Sequence, residues 1–434
     1  MKGVVYLAGR VQKLGIGRKI ASRLKIFAEF EADSGRHSGR DLKKILNLAV
    51  SGTRFYSSIR STALSDFPVV NKETIKSRLA DFIVGGRVAK RWRLVSTSGS
   101  TGQPFKIYQS VNKVKSQRAD VIAANMACGW RPGSPILYMR VWKEWNALSK
   151  LQRMVGRIYP IDGCDLGAER TQQIAREMAL MNEPFIVLGY GSSLDAFASN
   201  ILKLGMTAIP TGIASCIAMA EPVSEQTRQI FRSVFNVSVY ARYSNAENGI
   251  IAHQVPGISG YVINSRSFKV EVLRLDSDQP AAVGELGRIV VTDLFNFALP
   301  LIRYDTGDLG RKEVVAGKAG GQIAVLTQIE GRSLDCISTS DGAVISPHSI
   351  DYAIRNVAGF ERFQFEQVGR ASYRIIIIPT PEFNPERVED ELKSVLGMDS
   401  TVCVEKVDSI PPEKSGKRPL VINRVSREAA ASQF

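Results

Sequence analysis

From Phe185 to Tyr243 short apolar runs alternate with stretches of helical period. Residues 185–190 are apolar, 193–204 repeat their apolar residues at helical spacing, and 208–213 are apolar again. Residues 223–235 are helical in pattern and 237–243 read as a strand. Runs too short to be helices, joined by helices long enough for crossovers, predict a parallel, doubly wound α/β sheet covered on both faces. Ligands of such sheets sit beyond the carboxyl ends of the strands. The tail that follows the last strand, Tyr243 to Gly249, is therefore a predicted site edge.

A second constraint lies upstream. Ser96, Thr97, Ser98, Gly99, Ser100, Thr101 and Gly102 place three serines, two threonines and two glycines in seven consecutive residues. Apolar Leu94 and Val95 precede them, and Phe105 and Ile107 alternate after them. A loop between two strands, with glycines able to adopt positive φ, can turn several N–H and O–H groups towards one anion. A phosphate chain is the natural guest. The P-loop spacing fails, because Gln103 stands where that motif needs lysine. A Ser/Gly-rich turn without a ligand is the alternative.

The rest of the chain reads as a large domain followed by a small one. Residues 1–65 form a basic helical N-terminal extension, 66–330 a large domain, and 331–434 a small α/β domain. Asn71 is expected to cap a helix over 72–79, and a helix spans 112–128. A strand follows over 136–141. Residues 142–157 carry Trp142, Trp145, Leu148, Leu151 and Met154 at helix-like spacing, a lid, a pocket wall or core. Residues 269–275 and 287–293 form a β-hairpin subdomain. Residues 300–308 run into a Gly-rich loop at 317–321. Strands are expected over 322–329, 363–368, 374–378 and 402–406, with helices near 349–357 and 385–396.

Composition excludes several classes. No apolar run reaches the roughly 18 residues a membrane-spanning helix needs. Arg10, Lys13, Arg18 and Lys19 interrupt any signal-like core, which points to a cytoplasmic protein. Five cysteines without CxxC or CxxH spacing read as reduced thiols and no zinc site. Three histidines make a His-based triad or multi-His metal centre improbable, and His253 reads as a packed histidine. The net charge is +15, and eleven Lys and Arg crowd the first fifty residues. Ile16, Ile20, Leu24 and Phe27 share one helical stripe, which raises peripheral contact with the anionic inner face of a membrane. A solvated basic face is the plainer reading. No basic, aromatic-interleaved motif calls for nucleic acid, and monomer and homodimer both stay open.

Five separated segments then fall in order: STSGSTGQPFK (from Ser96 to Lys106), YSNAE (from Tyr243 to Glu247), LPLIRYDTGDLG (from Leu299 to Gly310), EGRSLD (from Glu330 to Asp335) and EKSGKR (from Glu413 to Arg418). Together they resemble the core motifs of the adenylate-forming, acyl-activating enzymes. The wording is nearest the phenylacetate–CoA ligase branch and its CapK-type relatives in capsular polysaccharide biosynthesis. The likeness covers roughly residues 65–425.

The resemblance implies an AMP-forming ligase that uses ATP and Mg2+. A carboxylic acid attacks the α-phosphate, giving acyl-AMP and pyrophosphate, and CoA or an amine or hydroxyl on a sugar precursor takes the acyl group. It implies that Ser96, Thr97, Ser98, Gly99, Ser100, Thr101 and Gly102 hold the β- and γ-phosphates, with Lys106 adding charge. Glu247 would bind Mg2+, Tyr243 would stack on adenine, Asp308 would accept the ribose hydroxyls, and Arg332 would contact ribose or phosphate. Lys417 would neutralise the reacting phosphate and carboxylate. Residues 130–145, 190–194 and 213–221 would line the acid pocket. Two departures stand out: Ser244 replaces the glycine usual after the motif tyrosine, and Leu334 replaces the acidic hinge residue. The second puts the CoA half-reaction in question. Transfer of AMP itself to an acceptor hydroxyl, and a non-catalytic nucleotide-binding component of an assembly complex, remain as other readings.

Overall fold

The computed structural model describes residues 17–27, 36–97, 105–140, 142, 147–163, 165–209, 211–317, 321–332, 337–341, 344–345, 350, 353–354, 357, 359–411 and 419–425. Chain order begins with helices α1 (Gly17–Phe27), α2 (Arg36–Gly52), α3 (Lys72–Ser77) and α4 (Leu79–Phe82). A hairpin follows, β1 (Arg93–Thr97) and β2 (Phe105–Gln109), then α5 (Val111–Ala127). The alternating part comprises β3 (Ile136–Arg140), α6 (Lys150–Gly156), β4 (Ile158–Asp162), α7 (Ala168–Ala179), β5 (Phe185–Tyr190), α8 (Gly191–Lys203), β6 (Ile213–Met219), α9 (Glu225–Phe235) and β7 (Val239–Asn245). Antiparallel strands extend the sheet: β8 (Gly249–His253), β9 (Tyr261–Ile263), β10 (Phe268–Leu273), β11 (Leu286–Asp293), β12 (Tyr304–Ala316) and β13 (Gln322–Arg332).

These strands form one mixed sheet of eleven, in the order β10-β11-β12-β13-β9-β8-β7-β6-β5-β3-β4. Strands β4, β3, β5, β6 and β7 are parallel neighbours, as the alternating pattern predicts. β5 shows why its sequence is a continuous apolar run. Phe185 and Val187 face the cluster built by α7, α8 and α9, and Ile186 and Leu188 face the cluster around Cys128 and Trp130.

Four expectations shift. The predicted strand at 208–213 starts later, at Ile213, because Ala208 adopts left-handed φ of 49° and ends the extended run. Among the described residues of 142–157 the helix is the short α6, opened by a Ser149–Gln152 capping box, and Trp145 lies outside them. Its Leu151 and Met154 are 65% and 71% exposed, so they are not core. The strand expected over 322–329 runs on to Arg332 and is β13 of the large sheet. Finally, β12 continues from Tyr304 through Asp308 to Ala316.

The N-terminal helices pack within the large domain. Ile45, Leu46, Ala49 and Tyr56 share a core with Phe105, Ile107, Leu299 and Tyr304. Of the expected stripe, Ile16 lies outside the described residues and Leu24 packs against α5 partly buried. Ile20 and Phe27 of α1 bury, together with Ile26, against Ala119, Ala123 and Ala124 of α5. Arg23 beside them is 1% exposed, with Nε 2.8 Å from Asp120 Oδ1 and Nη2 donating to Ser116 and Ser267.

The small unit is a four-stranded sheet, completed after the short pair β14 (Ile337–Ser338) and β15 (Val344–Ile345). Its strands are β16 (Phe360–Gly369), β17 (Ser372–Pro379), β18 (Thr401–Lys406) and β19 (Val421–Asn423), with α10 (Pro385–Leu396) packed across it. α10 spans the predicted 385–396, started by the Asn384 cap and Pro385 in its first turn.

Candidate active site

β7 is the last parallel strand, and Tyr243 lies near its carboxyl end. The Tyr243 hydroxyl donates to Asp308 Oδ2 at 2.7 Å and lies 3.2 Å from Thr306 Oγ1. Local geometry sets Asp308: Gly307 has φ of 78°, and its N–H donates to Asp305 Oδ1 at 2.9 Å. Asp305 Oδ2 is in turn held by Arg288 at 2.8 Å. Thr306 Oγ1 accepts the Asp308 N–H at 3.2 Å and donates to the Ile289 carbonyl at 2.9 Å. Burial pushes the Tyr243 phenol well above its usual value, and the Asp308 charge adds to this. The phenol therefore stays a donor at neutral pH.

Glu247 follows in the turn before β8 and is 1% exposed. Its Oε1 accepts the Tyr304 hydroxyl at 2.9 Å and lies 2.9 Å from Lys72 Nζ. Tyr304, like Tyr243, is pushed well above the ordinary phenol range, by burial first and by Glu247 next. Asn245 Oδ1 accepts the Asn248 N–H at 2.8 Å and shapes this turn. The stem of the β1–β2 hairpin is tied to the same place, where Gln109 Nε2 donates to the Glu247 carbonyl at 3.0 Å. Asn296 clamps the stem from the other side, donating to the Tyr108 carbonyl and accepting the Ser110 N–H, both at 3.0 Å.

The structure thus brings Tyr243, Glu247, Asp308 and the hairpin to one end of the sheet. Arg332, the last residue of β13, stands opposite Asp308 in the β12–β13 register. Ser96 and Thr97 end β1, with Ser96 exposed, and Lys106 is exposed on β2 in register with Ser96. Ser98, Gly99, Ser100, Thr101, Gly102, Lys417, Leu334 and Asp335 lie outside the described residues. His253 is fully buried, with Nε2 3.3 Å from Cys128 Sγ, and burial and Arg242 hold its pKa well below the usual value. It is a packed neutral histidine.

Lys72, Gln109 and Tyr304 escaped the sequence reading. Tyr304 lies within the LPLIRYDTGDLG motif, two residues before Thr306. Lys72 read only as the first residue after a helix cap.

The set also bears on Mg2+. Among the described residues no cluster of three or more His, Cys, Asp or Glu could hold a metal alone. Mg2+ suits a different arrangement, bound through one or two carboxylates together with substrate phosphates. Glu247 fits that part, because its contacts with Lys72 and Tyr304 are both made through Oε1.

A family model for the CapK C-terminal domain matches residues 337–424. Phenylacetate-coenzyme A ligase of Pseudomonas putida is 24% identical over 282 residues, which is 63% of this chain and 62% of that protein. The Aromatoleum evansii phenylacetate-coenzyme A ligase is 20% identical over 387 residues, 84% of this chain and 86% of the relative. The crystal structure of 2-hydroxyisobutyryl-CoA ligase in the postadenylation state, in complex with R3-HIB-AMP, aligns with a TM-score of 0.69 at 19% identity and covers 94% of both chains. These likenesses accord with the resemblance of the five motifs to the adenylate-forming enzymes. In sequence the chain is similar to the phenylacetate–CoA ligases and, over residues 337–424, to the CapK C-terminal domain. Its large mixed sheet and small α/β unit are the fold of the adenylate-forming ligases. It spans about 62% of the length of the Pseudomonas putida ligase.

Proposed function

We propose that the protein converts a carboxylic acid and ATP to an acyl-adenylate and pyrophosphate, and passes the acyl group to CoA or to an amine or hydroxyl acceptor. The observation that carries this reading is the Tyr243–Asp308 pair at the carboxyl end of β7, with the hairpin stem anchored on Glu247 beside it. Asp308 presents a carboxylate suited to two vicinal ribose hydroxyls, while Tyr243 offers a ring face for adenine. Arg332 would meet the ribose or phosphate from the junction of the two domains.

The loop from Ser96 to Gly102, with Lys106, would hold the leaving pyrophosphate through N–H and O–H groups. Lys417 would neutralise the α-phosphate and attacking carboxylate, an effect worth most where water is excluded. Mg2+ bound with Glu247 would offset charge on the phosphate oxygens. Tyr304 fixes the Glu247 carboxylate and keeps its own proton while doing so.

The CapK C-terminal domain supports a role in cell-surface polysaccharide synthesis, where the acyl acceptor would be a sugar amine or hydroxyl. The decisive experiment is ATP–pyrophosphate exchange across a panel of acids. Exchange that depends on an acid and is lost in Asp308→Ala and Lys417→Ala is the expected result. AMP found on an acceptor, with no acyl transfer, would replace this reading by adenylylation.

A further inference from the structure

Arg140 ends β3, at the side of the sheet where doubly wound folds bind ligands. Its guanidinium lies 5.6, 5.3 and 5.1 Å from the ring centroids of Tyr138, Trp142 and Tyr190. The rings are themselves fixed. Tyr138 and Trp142 meet edge to face at 5.3 Å, and the Trp142 indole N–H donates to the Ile161 carbonyl at 3.1 Å. The Tyr138 hydroxyl sits 3.5 Å from Met219 Sδ at the end of β6.

Within this aromatic box the cation is underused. Arg140 Nε is buried with no hydrogen-bond partner, and Nη1 reaches the Tyr138 hydroxyl only at 3.5 Å. Among the described residues no carboxylate forms an ion pair with Arg140, whereas buried Arg23 has Asp120 and buried Arg303 has Glu271. Two acids stand near. Asp162 is opposite Arg140 in the β3–β4 register but is exposed, and Glu221 Oε2 accepts the Ser192 N–H at 2.9 Å. A guanidinium is a planar fork that takes a carboxylate through two parallel N–H bonds. Leaving the buried Nε donor unpaired is costly, and the two tyrosine hydroxyls supply no negative charge, so an anionic ligand is the natural partner.

Position decides which part of a ligand that is. The strand order β7-β6-β5-β3 places Arg140 three strands from Tyr243, about 14 Å at the usual interstrand spacing. A carboxylate reacting with ATP near β7 is too far away to be the one Arg140 holds. We propose that Arg140 recognises a second carboxylate at the distal end of the acid substrate, which makes the substrate class dicarboxylic. This rests on the adenylation reading for the reacting end only. The aromatic faces position the guanidinium and exclude water from the pair.

Trp142 gives a direct readout, since its ring lies 5.3 Å from the cation. Intrinsic fluorescence is titrated with matched acids, isophthalate against benzoate and adipate against hexanoate, in wild type, Arg140→Met and Arg140→Lys. The diacid is expected to bind wild type at least tenfold more tightly than its monoacid. Arg140→Met is expected to bring that ratio near one, and Arg140→Lys to keep part of it. Wild-type preference for the monoacids, no binding of either diacid, or an unchanged ratio in Arg140→Met would overturn the proposal. ATP–pyrophosphate exchange run on the same acids reads adenylation separately. Exchange confined to monoacids removes the Arg140 assignment alone, and absent exchange with a retained diacid ratio removes the adenylation reading alone.

Discussion

Lys72 Nζ lies 2.9 Å from Glu247 Oε1, the oxygen that also accepts the Tyr304 hydroxyl. A helix near the N-terminus and a turn near the middle of the chain thereby meet on one carboxylate. The Lys72 side chain is 33% exposed and that of Glu247 1%, so the ammonium is the pair's outer face. It stands where a divalent cation bound to Glu247 would be felt.

Replacing Lys72 with Met should therefore do two things. It leaves a buried carboxylate with only a phenol partner, which costs about 2 kcal/mol of stability. It also removes a competing cation, so the Mg2+ concentration for half-maximal pyrophosphate exchange should fall several-fold. Urea unfolding and a Mg2+ titration check the two parts independently.

How much of this was legible follows from what each residue does locally. Tyr243, Glu247 and Asp308 were readable because each sits in a short run whose neighbours set its geometry, such as Gly307 with φ of 78° before Asp308. The parallel strands were readable because burial on both faces makes them apolar throughout. β6 was displaced because the polar Ser215 interrupts its apolar pattern, although it is fully buried. Lys72 was silent, since its meaning comes from Glu247 far along the chain, and Arg140 lay within the expected pocket segment 130–145 with nothing local to single it out. The stripe on α1 was visible, but not that α5 covers it.

Tyr243→Phe removes the hydroxyl that donates to Asp308 at 2.7 Å while keeping the ring. A hydrogen bond to a charged group is worth roughly 1.5–3 kcal/mol, so the KM for ATP should rise by about ten- to a hundredfold. If the ring alone packs the adenine, kcat should change far less than KM. Steady-state kinetics with a fixed saturating acid separates the two.

Alkaline pH should unfold the protein through its buried phenols. Burial holds Tyr56, Tyr243 and Tyr304 above the ordinary value. In the unfolded chain these groups lose their protons near pH 10 while the folded chain keeps them. The stability they carry is fully present below that pH and is lost above it, at up to about 1.4 kcal/mol per pH unit for each phenol. Lys19 works the other way. Burial and Arg23 lower it to about 8, so stability rises between that pH and the unfolded lysine value of about 10.4. Burial also holds the Cys128 and Cys216 thiols above their ordinary value. The unfolded chain loses those protons from about pH 8.5, which offsets the Lys19 gain. Urea midpoints should show no rise above about pH 8.5 and fall steeply past about pH 10, and Tyr304→Phe should make the steep fall shallower.

The N-terminal helix offers the sharpest stability test. Arg23 and Asp120 are paired with side chains 2% and 0% exposed, and Ser116 and Ser267 complete the network. Arg23→Leu strands Asp120 as an uncompensated charge and should cost about 3–5 kcal/mol. The double change Arg23→Leu, Asp120→Leu removes the stranded charge and should recover much of that loss. Protease cleavage within α1 should track the single variant and not the double. The same single variant should uncover Ile20, Ile26 and Phe27, which wild type holds at 7%, 4% and 0% exposure. It should therefore sediment with anionic vesicles more than wild type does, because the stripe reaches a bilayer only after it leaves α5. Equal sedimentation of the two proteins would mean that basic charge alone, and not the stripe, drives any contact with the membrane.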